Sequence, residues 1–166
     1  KGLVKKSIML GTALVDMYAK CGLLAKAKQT LTELSDRTIV SWNALMSGYA
    51  QARRIQHVFD SFEKMVGEGI RPDPVTFVIT LNACNRSGAC EKSRSFFEAM
   101  SSVYGVVPAL KHHTCMIDLL GRIGQLDKAL TMAKNLPLLP NLTLWQAIIF
   151  SCNQWGNVRL GREAFE

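Results

Sequence analysis

Leu14-Val15-Asp16-Met17-Tyr18-Ala19-Lys20-Cys21-Gly22 is an apolar pattern at helical spacing that closes on a glycine. The pattern returns four more times. Aligned with Ala13 to Tyr18 are Ala44-Leu45-Met46-Ser47-Gly48-Tyr49, Ile79-Thr80-Leu81-Asn82-Ala83-Cys84, Cys115-Met116-Ile117-Asp118-Leu119-Leu120 and Ala147-Ile148-Ile149-Phe150-Ser151-Cys152. Four residues after each segment stands a turn position: Gly22, Arg53, Gly88, Gly124 and Gly156, spaced 31, 35, 36 and 32 residues apart. A period in that range belongs to a helical-hairpin solenoid, whose units bury their apolar faces only by stacking on neighbours. The expected fold is all-α, a right-handed α-solenoid superhelix of about five helix-turn-helix repeats. Such an array is a surface for holding something long, so function should reside in what varies between units.

Within a unit, two columns lie four residues apart and so share one face of the first helix. They are Leu14, Leu45, Thr80, Met116, Ile148 and Tyr18, Tyr49, Cys84, Leu120, Cys152. Five residues after the turn the column is Ala27, Val58, Ser93, Ala129, Gly161, mostly small, as a close helix crossing needs. Arg53 replaces glycine at a position that favours the left-handed conformation, so the second turn is expected to be distorted or longer. Pro72-Asp73, Pro108-Ala109 and Pro140-Asn141 separate hairpins, with Asp36-Arg37-Thr38 playing that part earlier. Proline stops one helix and the residue after it caps the next. First helices should therefore begin near residues 8, 39, 74, 110 and 142.

Composition narrows the function classes. The 166 residues are 48% hydrophobic and carry 20 Lys and Arg against 13 Asp and Glu, a net charge of +7. That excess favours a polyanion or an acidic surface. No apolar run approaches the ~18–20 residues of a membrane span, and no signal or transit peptide is present. Five cysteines (Cys21, Cys84, Cys90, Cys115, Cys152) form no C-x-x-C and are expected to be reduced, buried thiols. His57, His112 and His113 have no second ligand pair at metal spacing and read as structural. No metal, cofactor or catalytic set is called for, so the chain reads as a binding module and not an enzyme. It opens within an amphipathic stretch, Lys1 to Ser7, and stops inside a helix-like one, Val158 to Glu166; it reads as a piece of a longer protein. An uncapped solenoid end exposes its stacking face, so self-association through the ends is an expectation.

Leu14 to Gly22, Val40-Ser41-Trp42-Asn43-Ala44-Leu45, Gly69-Ile70-Arg71-Pro72-Asp73, Asp118-Leu119-Leu120-Gly121-Arg122 and Gly156-Asn157-Val158 resemble the pentatricopeptide repeat proteins of land plants. The unequal spacings resemble that family's PLS class. The resemblance implies a remnant of a preceding repeat at 1–7, a short repeat at 8–38, an ordinary repeat at 39–73, a long repeat at 74–109, a short repeat at 110–141 and the start of the extension motif at 142–166.

What the resemblance implies is single-stranded RNA binding in a chloroplast or mitochondrion, about one base per repeat. One reader lies in the first turn of the first helix, the second closes the repeat, and a residue near the helix start packs on the base. Carried over, Asn43 with Asp73 looks like a uridine reader, with Val40 and Val75 sandwiching the base. Thr114 with Asn141 looks like an adenosine reader, sandwiched by Lys111 and Thr143. Thr12 pairs with Thr38, which stands where the family usually has aspartate, and no base is assigned. Val78 and Ala109 offer no useful hydrogen bond, so that unit should not discriminate. The implied register is 5′-N-U-N-A-3′. Lys20, Arg86 and Arg122, each near the end of a first helix, are candidates for phosphates and for salt-dependent binding; Gln51 and Gln154 interrupt this stripe. Trp42 and Trp145 read as packing between hairpins.

Many relatives with this arrangement end in a cytidine-deaminase-like domain, whose H-x-E and C-x-x-C motifs are missing from these residues. The resemblance thus points to a recognition module of a C-to-U editing factor. The alternative is a scaffold that binds small organellar editing cofactor proteins, through the long repeat in particular.

Overall fold

The computed structural model describes residues 8–136 and 142–165. Among them are ten helices and no strand: α1 Ile8–Lys20, α2 Leu24–Glu33, α3 Ile39–Gln51, α4 Ile55–Gly67, α5 Pro74–Ser87, α6 Cys90–Ser102, α7 Leu110–Arg122, α8 Leu126–Lys134, α9 Leu142–Gln154 and α10 Val158–Phe165. First helices start at Ile8, Ile39, Pro74, Leu110 and Leu142. The chain divides into two compact units, Lys1–Ala83 and Cys84–Glu166.

In the first unit α1 packs on its hairpin partner α2 and on α3, the next first helix. α3 packs in turn on α4. The contact between α1 and α3 is close because Gly48 has no side chain: a Cβ there would lie 2.7 Å from Ala19 Cβ. Val15, Leu31, Leu45, Met46, Val58, Met65 and Phe77 form the buried interior, with the Phe62 and Phe77 rings edge to face at 6.0 Å. In the second unit α7 packs on α8 and α9, and α9 on α10. Ile117, Leu126, Leu130, Leu144, Ile148 and Leu160 make its core. The small column one turn into the second helices is buried at Ala27, Val58, Ser93 and Ala129.

The five hairpin turns share one construction. The residue at the turn is left-handed, with φ 74° at Gly22, 66° at Gly88, 78° at Gly124 and 65° at Gly156. The next N–H reaches back five residues, as Leu23 N to the Tyr18 carbonyl at 2.9 Å and Gln125 N to the Leu120 carbonyl at 2.9 Å. The turn N–H itself reaches back three, as Gly22 N to the Ala19 carbonyl at 3.1 Å. These two bonds define a Schellman end and satisfy carbonyls the helix leaves open. The expected distortion at Arg53 does not occur. Arg53 has φ 56°, Arg54 N bonds the Tyr49 carbonyl at 2.8 Å and Arg53 N the Ala50 carbonyl at 3.2 Å. Both bonds form despite the arginine Cβ, and its side chain stands in solvent. The turn keeps its shape and carries the strain instead.

A second correction concerns the thiols. All five are free, and Cys84, Cys115 and Cys152 are buried, but Cys21 is exposed and Cys90 half-buried. Cys21 precedes the turn glycine and Cys90 is the first residue of α6.

Candidate nucleic-acid interface

At α3 and α5 the first helix starts on a cap supplied by the residue just before it. At α3, Thr38 and Ser41 exchange hydrogen bonds: Ser41 N donates to Thr38 Oγ1 at 3.3 Å and Thr38 N to Ser41 Oγ at 3.0 Å. At α5, Thr76 N donates to Asp73 Oδ1 at 2.8 Å and Asp73 N to Thr76 Oγ1 at 3.2 Å. Each is a capping box that satisfies two orphan donors. At α7, Ala109 has no side-chain acceptor, and His112 takes over: Ala109 N donates to His112 Nδ1 at 2.9 Å.

Between α1 and α3 these starts leave an open groove of about 650 Å³. It is lined by Met9, Thr12 and Asp16 on one side and by Thr38, Val40 and Asn43 on the other. Thr12, Thr38, Val40 and Asn43, four of the residues singled out from sequence, thus come together in the first unit. Met9 was missed. It is the second residue of α1, as Val40 is of α3, and the two are 83% and 61% exposed. Equal offset from the helix start was the signal that identifies it.

Asn43 is 8% exposed and already engaged. Its Nδ2 donates to Asp73 Oδ1 at 3.1 Å, and its Oδ1 accepts from the Thr76 hydroxyl at 2.8 Å. Thr76 Oγ1 also lies 2.8 Å from Asp73 Oδ1. Thr76 is fully buried and was not singled out from sequence; its partner Asn43 is 33 residues away, a contact only the fold reveals. Val75 is 55% exposed at the start of α5.

The other sequence candidates are less assembled. Val78 is half-buried on α5, and Ala109 is exposed ahead of α7. The Thr114 hydroxyl donates to the Leu110 carbonyl at 2.9 Å, which leaves its oxygen as an acceptor. Lys111 is exposed. Asn141 lies outside the described residues, so Thr114 has no placed partner for reading.

The basic candidates are exposed but mostly paired. Lys20 Nζ meets Asp16 Oδ2 at 2.6 Å, and Arg122 Nε meets Asp118 Oδ2 at 3.2 Å, each pair four residues apart on one helix. Asp118 also accepts from the Asn85 amide. Arg86 is exposed and in no ion pair among the described residues. Exposed pairs of this kind are worth ~0.3–0.5 kcal/mol, so a phosphate exchanges with the carboxylate at little cost.

The perturbed groups lie outside the groove. Burial pushes the Cys84 thiol up to about 12 and Cys115 to about 11. Burial, and then the neighbouring His112, hold His113 below the ordinary imidazole value. The His113 ring stands edge-on to Phe97 at 5.1 Å, and its Nδ1 is buried with no partner among the described residues. Trp42 is buried, as a packing residue should be. Among the described residues no group of histidine, cysteine or carboxylate side chains is placed to hold a metal ion, and no helix is long and apolar enough to cross a membrane.

Residues 37–86 match the PPR repeat family, and residues 12–39 and 112–134 match the PPR repeat. The chain belongs to the pentatricopeptide repeat family. Three pentatricopeptide repeat-containing proteins of Arabidopsis thaliana illustrate the similarity. One is 37% identical over 100% of this chain and 25% of its own length. One named as mitochondrial is 34% identical over 99% of this chain and 25% of its own. One named as chloroplastic is 40% identical over 98% of this chain and 23% of its own. The chain therefore spans about a quarter of the length of the curated relatives it matches.

Solved structures agree on the fold. The pentatricopeptide repeat protein PPR10 from maize superposes with a TM-score of 0.79 at 15% identity, over 95% of this chain and 23% of that one. The same protein in complex with an 18-nt psaJ RNA element gives 0.71 at 17% identity, over 96% and 28%. The PPR domain of Arabidopsis thaliana protein-only RNase P 1 in complex with tRNA gives 0.73 at 18% identity, over 91% and 83%. This pentatricopeptide repeat chain is an all-α helical-repeat solenoid.

Proposed function

We propose that the chain is a single-stranded RNA-binding module that reads about one base per repeat. The observation that carries the proposal is the Asn43–Asp73–Thr76 cluster beside the exposed Val40 and Val75. A uracil edge offers carbonyl acceptors flanking one N3–H donor. Asn43 keeps one amide N–H free, and Asp73 keeps Oδ2 free, so the pair offers a donor beside an acceptor. Cytosine has a bare N3 and would set lone pair against carboxylate. Uracil is therefore favoured, which is the base the family resemblance assigns. Val40 and Val75 supply apolar surface on which a base stacks, as unpaired RNA bases require. RNA bound to maize PPR10 supports the same class of ligand for this chain. Thr114 is retained as the adenosine-side reader with Asn141. The mitochondrial and chloroplastic relatives support an organellar setting, and C-to-U editing-site recognition by a PLS-type protein is the reading we favour for the parent.

The test is fluorescence anisotropy with labelled single-stranded RNAs of the form NUNA, NCNA and NUNG. Preference for U at the second place, abolished in Asn43→Ala with Asp73→Ala, is the expected result. Equal affinity for all three, untouched by those changes, would refute base reading. A second reading, a scaffold for small editing cofactor proteins, draws on Val78 and Ala109, whose side chains have nothing to offer a base edge.

A further inference from the structure

We infer that Thr76, a residue of the following repeat, is a specificity-determining residue for the base read by Asn43 and Asp73. The inference rests on the reading of that pair given above. It follows from counting protons in the buried cluster. Four donors need acceptors: Asp73 N–H, Thr76 N–H, the Thr76 hydroxyl and one Asn43 amide hydrogen. Asp73 N–H goes to Thr76 Oγ1, and Thr76 N–H goes to Asp73 Oδ1. Asn43 Nδ2 also donates to Asp73 Oδ1.

The hydroxyl has two acceptors at the same 2.8 Å, Asp73 Oδ1 and Asn43 Oδ1, and one hydrogen. Asp73 Oδ1 already accepts two N–H groups. Given to the carboxylate, the hydrogen would leave two oxygens, Thr76 Oγ1 and Asn43 Oδ1, facing each other with no proton between them. Given to Asn43 Oδ1, it leaves every donor with an acceptor, and Thr76 Oγ1, Asp73 Oδ1 and Asn43 Oδ1 each with a donor. The Thr76 Oγ1–Asp73 Oδ1 approach then carries no proton of its own but is flanked by the two N–H bonds of the capping box, which the Asn43 contact lacks. Buried polar groups adopt the satisfied arrangement because an unpaired one is costly in a dry site.

This arrangement fixes which way the Asn43 amide faces. Its oxygen is held by Thr76 and its nitrogen by Asp73, so the remaining N–H points outward as the donor to the base. With the hydroxyl gone, the amide loses the clamp on its oxygen and presents a mixed donor and acceptor edge. Thr76 thus acts through Asn43 as a positioning residue, and touches no base itself. The corresponding third residue of the other first helices differs. Ser41 spends its hydroxyl on the Thr38 carbonyl at 2.8 Å, and His112 accepts from Ala109 N–H. Neither clamps a reader amide, so this control belongs to the one unit with a full asparagine and aspartate pair.

The experiment uses the whole 166-residue chain with Thr76→Val, Thr76→Ser and Asn43→Ala. The readout is the ratio of Kd for NCNA to Kd for NUNA. Loss of one neutral hydrogen bond corresponds to about a fivefold fall in that ratio for Thr76→Val. Thr76→Ser, which keeps the hydroxyl, should hold the wild-type ratio. A merely structural role would lower affinity for both RNAs together and leave the ratio alone, and that outcome overturns the inference. So does an equal fall for valine and serine. If Asn43→Ala leaves the ratio unchanged, the base-reading assignment itself is wrong and the inference falls with it. If Asn43→Ala abolishes the ratio and Thr76→Val does not, only the role of Thr76 is refuted. Should the valine chain fail to fold, the Asn43 side-chain amide protons of the wild-type free chain decide by NMR. Slow exchange with water supports the clamp, and exchange at the rate of an exposed asparagine overturns it.

Discussion

Replacing Arg53 by glycine should stabilise the chain. Arg53 holds φ 56°, while four of the five hairpin turns place glycine there at 65–78°. For a residue with a Cβ, the left-handed conformation costs roughly 1–2 kcal/mol. Glycine also frees the unfolded chain, which returns about 0.4–1 kcal/mol of that. The net gain is about 0.5–1 kcal/mol. Arg53 is exposed and in no ion pair among the described residues, so the substitution breaks no ion pair among them. The matching experiment is Gly22→Arg, where an added Cβ meets nothing within 4 Å, so that conformational cost alone is measured. That change should lower stability by a similar amount. Thermal melts followed by circular dichroism should show shifts of about 1–3 °C in opposite directions, given the usual dependence for a chain of this size. An Arg53→Gly melt at or below the wild type would refute the strain argument. It would mean that the arginine side chain contributes at least as much as its backbone costs.

Three further outcomes follow from the packing and charge. In native buffer near pH 8 an alkylating reagent should modify Cys21 first and leave Cys84 and Cys115 unmodified, because burial keeps those thiols protonated; mass spectrometry counts the adducts. His113 has a folded pKa below its unfolded value near 6.5, so the unfolded chain binds the extra proton, and stability present above pH 6.5 is lost as pH falls toward the folded value. Denaturation midpoints should decline over that window, and His113→Gln should flatten the decline. For RNA binding, each phosphate contact on a single strand contributes ~0.7 to the slope of log affinity against log salt. Lys20→Ala should reduce the slope by about that much, equally for all sequences, and an unchanged slope would remove Lys20 from the phosphate track.

The repeat was legible because its turn needs glycine and its helix starts need caps, both of which mark the sequence directly. Helix starts at Ile39, Pro74 and Leu110 follow Thr38, Asp73 and Ala109 as the punctuation indicates. Arg53 misled because composition reveals a conformational cost but not the two backbone bonds that enforce the conformation anyway. Lys20 with Asp16 and Arg122 with Asp118 were not read as pairs from the sequence, although a spacing of four places such side chains together on a helix. The clamp at Thr76 was not legible, since Asn43 reaches it only when α3 and α5 are folded against each other. Cys21 was misjudged because cysteine is usually buried, and its place beside a turn glycine overrides that tendency.

The residues that cap first helices are those we propose to read bases, and on that reading specificity is coupled to stability. The residue that closes a repeat is the cap of the next first helix: Thr38 for α3 and Asp73 for α5. Changing that residue to alter base choice also changes the cap. Ala109 is the informative case, because α7 has an extended cap residue, φ −91° and ψ 169°, with no side chain to accept a hydrogen bond. His112 satisfies the Ala109 N–H but leaves the first-turn N–H groups of α7 without a side-chain acceptor from the cap position. Ala109→Asp supplies that acceptor and places a carboxylate at a helix N-terminus, together worth about 1 kcal/mol. Ala109 is exposed, so the carboxylate enters without a burial cost. The denaturant midpoint should rise without a change in m-value. Ala109→Asn, a cap of similar strength with no charge, should give most of the same gain. If aspartate stabilises and asparagine does not, charge at the helix end is responsible and the cap geometry is not. If neither stabilises, His112 already does all that a cap can do at α7, and the coupling of code to stability does not extend to this unit.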